Sequence, residues 1–152
     1  MLVFSEYQTD TIDLALDFYG YEDCPKNYEF GPSFRDNFVL HFITKGKGVF
    51  HINKNEIHLE AGDLFLLPKN MVTYYQADAE DPWSYYWIGI SGTKVSDFMR
   101  FSTLHAKGFL KKNEVDTERI GLFMEQLVHK AEASKMTSHY QLHLLSQIYE
   151  LL

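Results

Sequence analysis

The feature that most constrains this chain is a series of short apolar runs between residues 38 and 90, each closed by turn residues. Such runs, broken about every 8–12 positions, are typical of sandwiches and barrels. The series predicts six strands, in meander order, over residues 38–44, 49–53, 56–60, 63–68, 71–77 and 84–90. Asn53-Lys54-Asn55 suits a tight hairpin, and Gly46, Gly48 and Gly62 are expected at turns with positive φ.

Composition supports a β-rich core of one ordinary domain, or of a compact domain with an appended helical piece. The chain has 152 residues, of which 45% are hydrophobic, so it can bury a substantial core. Aromatic residues make up 16% of it, and they fit the pleated, half-buried surface of a strand well.

The apolar spacing changes after Gly92 and predicts helices. A short helix would carry Val95, Phe98 and Met99 on one stripe. A longer amphipathic helix would follow a possible N-cap at Asp116. Its apolar stripe consists of Ile120, Phe123, Met124, Leu127 and Val128.

A final helix is predicted to start at a capping box, Ser138-x-x-Gln141. Its apolar residues are Leu142, Leu144, Leu145, Ile148, Tyr149, Leu151 and Leu152. They cover too wide an arc for a single contact, so a second surface is expected, facing either a dimer partner or a further part of the protein. The chain stops within this pattern, and we interpret the ending as a cut.

Charge and cysteine content narrow the class of protein. The formal net charge is −7, whereas nucleic-acid binding draws most of its affinity from lysine and arginine, so this chain alone should bind DNA poorly. The single cysteine, Cys24, excludes an intrachain disulfide. The N-terminus lacks a signal-peptide core, and no apolar run approaches the roughly 20 residues of a membrane span. A soluble, cytoplasmic protein is expected.

The stretch PWSYYWIGI, residues 82–90, is the most unusual of the predicted strands. In a strand, Trp83, Tyr85 and Trp87 share one face, and the other face carries Ser84, Tyr86, Ile88 and Ile90. From these residues alone, the face with two indoles and a phenol is either core packing or the wall of a pocket.

The chain resembles a known family. The resemblance is carried by GYEDC (20–24), FGP (30–32), Arg35, FVLHFITKGKG (38–48), AGDLFLLP (61–68) and the W-x-Y-Y-W strand. In order and spacing these segments are similar to the N-terminal regulatory domain of AraC-type transcription regulators, especially those of sugar-utilisation operons.

The resemblance implies a mainly β fold, a cupin-like (double-stranded β-helix or jelly-roll) barrel followed by two or three α-helices. The barrel, with an N-terminal arm of about 20 residues, would occupy residues 1–110, and residues 111–152 would form a helical dimerisation and linker segment. The family's helix-turn-helix DNA-binding domain is absent from this chain.

The resemblance also implies a small effector, often a sugar, bound inside the barrel. Trp87 resembles the indole that stacks on the sugar ring, Tyr85 a neighbouring polar contact, and Tyr75 a further pocket position. Arg35 would supply forked hydrogen-bond donors to the ring oxygens or hydroxyls of the sugar. His41 would add a donor if it faces inward.

Other positions have plainer interpretations. Trp83 is expected to pack at the barrel mouth, and Gly89 to leave space at one end of the pocket. Arg35 has an alternative as a surface ion pair with Asp36 or Glu29, worth about 0.5 kcal/mol.

Helices behind the barrel commonly form the dimer contact in the family. We therefore expect a homodimer whose contact uses Leu142, Leu145, Tyr149 and Leu152.

A metal-dependent cupin enzyme, such as an isomerase or oxygenase, is the alternative. The cupin pattern G-x5-P-x-G-x2-H fits Gly62 and Pro68, but Asn70 stands in place of glycine and Thr73 in place of the histidine ligand. The companion pattern would place ligands at Ser33, Arg35 and Val39, which are poor metal ligands.

The histidines offer little more to such a site. His51 and His58 are expected to face outward from a hairpin. His139 and His143 lie at i, i+4 without an evident third ligand. We therefore predict no metal, no cofactor and no enzymatic activity. A third possibility is a dimerisation module with a filled barrel and no ligand.

Overall fold

A computed structural model describes residues 3–6, 15–33, 36–114 and 116–134 of the chain. These residues form ten strands and three helices. The strands are β1 (Val3–Glu6), β2 (Ala15–Asp23), β3 (Glu29–Ser33), β4 (Phe38–Lys45), β5 (Lys47–Ile52), β6 (Asn55–Glu60), β7 (Leu64–Leu67), β8 (Thr73–Ala77), β9 (Ser84–Ser91) and β10 (Phe109–Leu110). The helices are α1 (Thr93–Arg100), α2 (Thr103–Lys107) and α3 (Thr117–Ser134).

The strands form two antiparallel sheets with a nested pairing. The larger sheet has the order β1-β2-β9-β4-β7-β10, and the smaller has the order β3-β8-β5-β6. Around the β5–β6 hairpin, β4 pairs with β7, β3 with β8, and β2 with β9. The predicted meander order is therefore wrong, because most successive strands lie in opposite sheets. The predicted cupin-like jelly-roll barrel is confirmed.

The larger sheet is buried on both faces, which explains why β9 is buried almost throughout. One face meets the smaller sheet in an interior cluster that includes Phe50, Phe65 and Trp83. The other meets the helices in an outer cluster that includes Ile88 and Met124. A strand buried on both sides reads as a continuous apolar run, as β7 does in the sequence.

The predicted turns are largely confirmed. Asn53 and Lys54 both have positive φ, at 52° and 65°, as a two-residue hairpin turn of the primed type requires. Gly46 and Gly62 also have positive φ. Gly48 does not, and its requirement is space instead, because a Cβ there would lie 2.5 Å from the Trp83 ring.

The first two predicted helices are present. In α1, Val95 and Met99 are buried, but Phe98 is 46% exposed and does not belong to the buried stripe. Asp116 accepts a hydrogen bond from the Arg119 amide at 3.3 Å, as an N-cap does. The predicted stripe of α3 lies against the outer cluster.

The N-terminal region contains two strands that the sequence pattern did not predict. The expected arm over residues 1–20 contains two strands, β1 and the first part of β2, and β1 extends the larger sheet at its edge. Arg35 lies outside the described residues, as do His139, His143 and the predicted dimer residues Leu142, Leu145, Tyr149 and Leu152.

Candidate functional site

A cavity of about 230 Å³ lies inside the barrel. Aromatic side chains form most of its wall, together with two aliphatic residues, one histidine and one carboxylate. The lining residues are Phe18, Glu22, Tyr28, Phe30, Val39, His41, Leu67, Tyr75, Tyr85 and Trp87.

Strand register explains how the larger sheet builds the floor of this cavity. Trp87 on β9 lies opposite Gly20 on one side and His41 on the other. Tyr85, two residues earlier on the same face, lies opposite Glu22. The floor therefore carries its polar groups around the Trp87 indole.

The opposite end of the floor is apolar. Gly89 lies opposite Phe18 and Val39, and Val39 lies opposite Leu67. The prediction that Gly89 leaves space at this end is wrong, because a Cβ there would lie 2.3 Å from Cζ of Phe18. The Phe18 ring covers Gly89 and closes that end.

The smaller sheet contributes the facing wall. Tyr75 on β8 stacks on Phe30 of β3 with ring centroids 5.4 Å apart. Tyr75 also approaches His41 and Tyr85 edge to face, at 5.4 and 6.1 Å between ring centroids. Aromatic residues from both sheets thus hold one another in place around the cavity.

The structure brings together four of the five predicted site residues. Trp87, Tyr85, Tyr75 and His41 all line the cavity, and His41 faces inward. The fifth, Arg35, lies outside the described residues. Their role in binding a ligand stays a prediction.

Trp83 is fully buried in the interior cluster rather than placed at a barrel mouth. Its ring stacks on Phe65 at 5.3 Å, which confirms a packing role. The histidines of the β5–β6 hairpin lie away from the cavity: His51 contacts the Tyr74 ring, and His58 lies 3.8 Å from Glu56.

Sequence reasoning missed Glu22 and Phe18 because it did not recognise β2 as a strand, and it missed Tyr28 in the connection that follows β2. A signal was present: the alternation Phe18-x-Gly20-x-Glu22-x-Cys24 places these residues on one face of an extended segment. Its outward residues, Tyr19 and Tyr21, pack against the outer cluster.

Burial keeps the hydroxyl and thiol groups near the cavity neutral. Burial raises the pKa of Tyr85, with further contributions from Tyr75 and Cys24. Burial also raises the pKa of Tyr28 and that of Glu22. It raises the pKa of the Cys24 thiol to about 12. The phenols therefore remain protonated hydrogen-bond donors at neutral pH.

The lining groups suit a neutral polar ligand with an apolar face. Each tyrosine hydroxyl can donate and accept, the Trp87 indole donates, and Glu22 accepts. Within the described residues, no group of three or more His, Cys, Asp or Glu side chains is arranged to hold a metal ion. The position of the usual histidine ligand is occupied by Thr73, and Val39 lines the cavity as an apolar residue.

Strand β9 also connects the cavity to helix α3. Tyr86, on the opposite face from Tyr85 and Trp87, lies with its hydroxyl 3.1 Å from Nε2 of His129. Beside it on β2, the Tyr19 hydroxyl donates to Glu132 at 2.9 Å. Side chains on the two faces of this sheet therefore contact the cavity and the helix.

A jelly-roll barrel with an internal aromatic cavity and an outer helical layer has the architecture of a small-ligand-binding domain. The family model "AraC-like ligand binding domain" matches residues 15–152. The chain belongs to this family of effector-sensing regulatory domains.

Three curated relatives are bacterial operon regulators, and two of them are named for sugar operons. The Msm operon regulatory protein of Streptococcus mutans is 39% identical over 99% of this chain and 53% of its own length. The raffinose operon transcriptional regulatory protein RafR of Pediococcus pentosaceus is 42% identical over 62% of this chain and 35% of its own. The lactose operon transcription activator of Staphylococcus xylosus is 30% identical over 78% of this chain and 43% of its own length.

The chain spans about half the length of the Msm regulator, and less of the other two. Among solved structures, YhaK from Escherichia coli matches with a TM-score of 0.53 at 14% identity, over 62% of this chain and 46% of that one. That similarity concerns the fold alone. None of the helices in the residues described is long and apolar enough to cross a bilayer.

Proposed function

We propose that this domain binds a small carbohydrate in the barrel cavity and thereby controls DNA binding by a helix-turn-helix domain that follows it in the full-length regulator. The observation that carries the proposal is the floor of the cavity, where an indole lies among polar groups. A sugar ring has an apolar C–H face for Trp87 and hydroxyls for Tyr85, Tyr75, His41 and Glu22.

The size of the cavity supports one sugar ring. A hexose occupies about 180 Å³, roughly the liquid volume of six waters. The cavity, at about 230 Å³, has room for one such ring. Raffinose and lactose are named in the descriptions of two relatives, which supports a carbohydrate over other neutral ligands.

The signal would pass through the larger sheet. A ligand on Tyr85 and Trp87 contacts the strand whose Tyr86 holds α3. The effector would favour one arrangement of the N-terminal strands and helices, to the extent that it binds that arrangement more tightly. In this proposal the domain is not an enzyme, has no cofactor and acts in the cytoplasm, where its DNA target lies.

Fluorescence titration tests sugar binding at this cavity, because the chain has two tryptophans in contrasting places. Trp87 lines the cavity, whereas Trp83 is fully buried behind it, with its ring centroid 6.1 Å from that of Tyr85. Mono- and disaccharides should change the emission of the wild-type chain and of Trp83→Phe. Trp87→Phe, which retains only Trp83, should show a smaller change at the same sugar concentrations.

Two results would contradict the proposal. One is unchanged emission and melting temperature of the wild-type chain across the sugar panel. The other is a sugar response that persists in Trp87→Phe and disappears in Trp83→Phe. If Trp83→Phe proves unstable, calorimetric titration of Trp87→Phe gives the same answer, with an expected loss of affinity of about tenfold.

Homodimerisation is a second part of the proposal and has its own test. Light scattering after size exclusion should give a dimer mass for the chain and a monomer mass for Leu145→Lys. Leu122→Lys is the matched control, since Leu122 is a 54% exposed apolar residue of α3. A wild-type chain that remains monomeric at high concentration would contradict dimerisation.

A further inference from the structure

We propose that Glu22 accepts a hydrogen bond from a hydroxyl of the effector, and that its carboxylate restricts the cavity to uncharged sugars, against sugar acids and sugar phosphates. This inference rests on the proposed function and adds the class of sugar that the site selects.

Strand geometry places Glu22 beside the expected sugar ring. Glu22 and Tyr85 are direct cross-strand partners on the cavity face, where side chains lie about 5 Å apart at Cβ. Trp87 is the diagonal neighbour, at about 7–8 Å. A ring stacked on the indole would hold its edge hydroxyls between these two residues, within reach of the carboxylate.

The carboxylate is available for a ligand. No described residue donates a hydrogen bond to Glu22 or forms an ion pair with it. Its neighbour Asp23 differs completely, because it faces outward and accepts hydrogen bonds from Ser84 and Tyr21 at 2.6 and 2.8 Å. Asp23 also lies 3.6 Å from the Lys45 ammonium.

A half-buried carboxylate to which no described residue donates is costly, because it has given up water without a replacement from this part of the chain. Burial accordingly raises the pKa of Glu22. Hydroxyl donors of a sugar would supply the missing hydrogen bonds, and hydrogen bonds to an ionised acceptor are about twice as strong as neutral ones. The site is therefore suited to a ligand that brings donors.

The same charge disfavours anionic ligands. Among the described residues that line the cavity there is no lysine or arginine, and Glu22 is the only carboxylate. A uronic acid or a sugar phosphate would place a second negative charge in this cavity of about 230 Å³, where the described lining residues include no lysine or arginine to act as a counterion. The Glu22 carboxylate would thus discriminate between ligands in two ways, by attracting the hydroxyls of neutral sugars and by repelling anionic sugars.

Calorimetric titration with matched sugar pairs tests the inference on the 152-residue chain. The pairs are galactose with galacturonate and galactose 6-phosphate, and glucose with glucuronate and glucose 6-phosphate. At least one neutral sugar should bind the wild-type chain, and its anionic forms should bind at least about tenfold more weakly.

Glu22→Gln and Asp23→Asn provide a matched pair of variants. Both remove one negative charge from adjacent positions of β2, but only the first alters the cavity. Glu22→Gln should weaken the neutral sugar about tenfold and reduce the neutral-to-anionic affinity ratio by a similar factor. Asp23→Asn should leave both values unchanged.

The outcomes separate this inference from the proposed function. If neutral and anionic sugars bind the wild-type chain equally, or if Glu22→Gln leaves the ratio unchanged, the role of Glu22 is wrong and sugar binding stands. If no sugar binds, the proposed function fails and this inference fails with it. Should Glu22→Gln fail to fold, as its circular dichroism would show, the wild-type ratio decides alone.

Discussion

Replacing Gly89 with alanine would place a methyl group 2.3 Å from Cζ of Phe18 and 2.5 and 2.6 Å from its two Cε atoms. Carbon atoms pack at about 3.5–4.0 Å, so the ring must retreat by at least about 1.2 Å. Gly89 lies on the floor of the barrel, and the retreat carries the ring into the cavity that it lines. The substitution therefore alters packing and cavity volume together.

The expected cost to folding is modest. Overpacking a core by one methyl group costs about 1–3 kcal/mol. Alanine reduces the entropy of the unfolded chain and returns about 0.4–1 kcal/mol. A net loss of about 1–2 kcal/mol corresponds to a melting temperature lower by about 2–8 °C for a chain of this length.

The expected effect on ligand binding is larger. An intruding phenyl ring would occupy part of the cavity of about 230 Å³ and should therefore weaken sugar binding at least about tenfold. Thermal unfolding followed by circular dichroism and calorimetric titration with the best-binding sugar measure the two effects separately.

Gly121→Ala is the matched control for this prediction. Its methyl group would lie 2.2 Å from Cζ of Phe42, an equivalent overlap with a ring on the outer face of the sheet. Gly121→Ala should leave sugar affinity unchanged. The higher helix propensity of alanine offsets about 1 kcal/mol of its packing cost. Wild-type affinity in Gly89→Ala would refute the placement of the ligand in this cavity.

Three further predictions concern the rest of the fold. His129→Ala removes one of two hydrogen-bond partners of the Tyr86 hydroxyl, the other being Glu125, and should lower the free energy of unfolding by about 1 kcal/mol in urea. Exposed His58→Ala should change it by less than about 0.5 kcal/mol, and equal effects would contradict the docking role of His129. Hydrogen bonds from Ser84 and Tyr21 hold the pKa of Asp23 below its ordinary value, so Asp23 stabilises the folded state above about pH 4 and loses this contribution as the pH falls through its folded-state pKa. Ser84→Ala should raise the pKa of Asp23 in a carboxyl NMR titration, and an unchanged pKa would contradict this assignment. Burial raises the pKa of Cys24 to about 12, so a thiol reagent at pH 8 should label Cys24 slowly in the native chain and rapidly in urea. Rapid labelling of the native chain would show that the cavity-facing side of β2 is open to solvent.

The sequence was informative where one residue pattern determined one structural outcome. Alternation in residues 84–90 correctly separated Tyr85 and Trp87 from Tyr86, Ile88 and Ile90, because side chains of a strand must alternate. The apolar spacing of α3 equally directly predicted a helix and the stripe that it buries. Strand pairing was different, since the same six runs fit a meander or a jelly roll, and nothing local records which sheet each strand joins.

The least predictable part was the N-terminal half of the cavity. Strand β2 contains glycine, three acidic residues and three aromatic residues, with a register shift between Leu16 and Phe18. This mixture obscures its alternation. Glu22 therefore came to light only when the fold placed it opposite Tyr85, and Gly89 proved to be a contact site for Phe18 rather than an opening.

A crystal structure of the chain with its best-binding neutral sugar tests the central claim most directly. The account predicts one sugar ring inside the barrel, with its C–H face on Trp87 and its hydroxyls on Tyr85 and Glu22. A sugar bound on the outer surface, with the barrel cavity empty at saturating concentration, would contradict it.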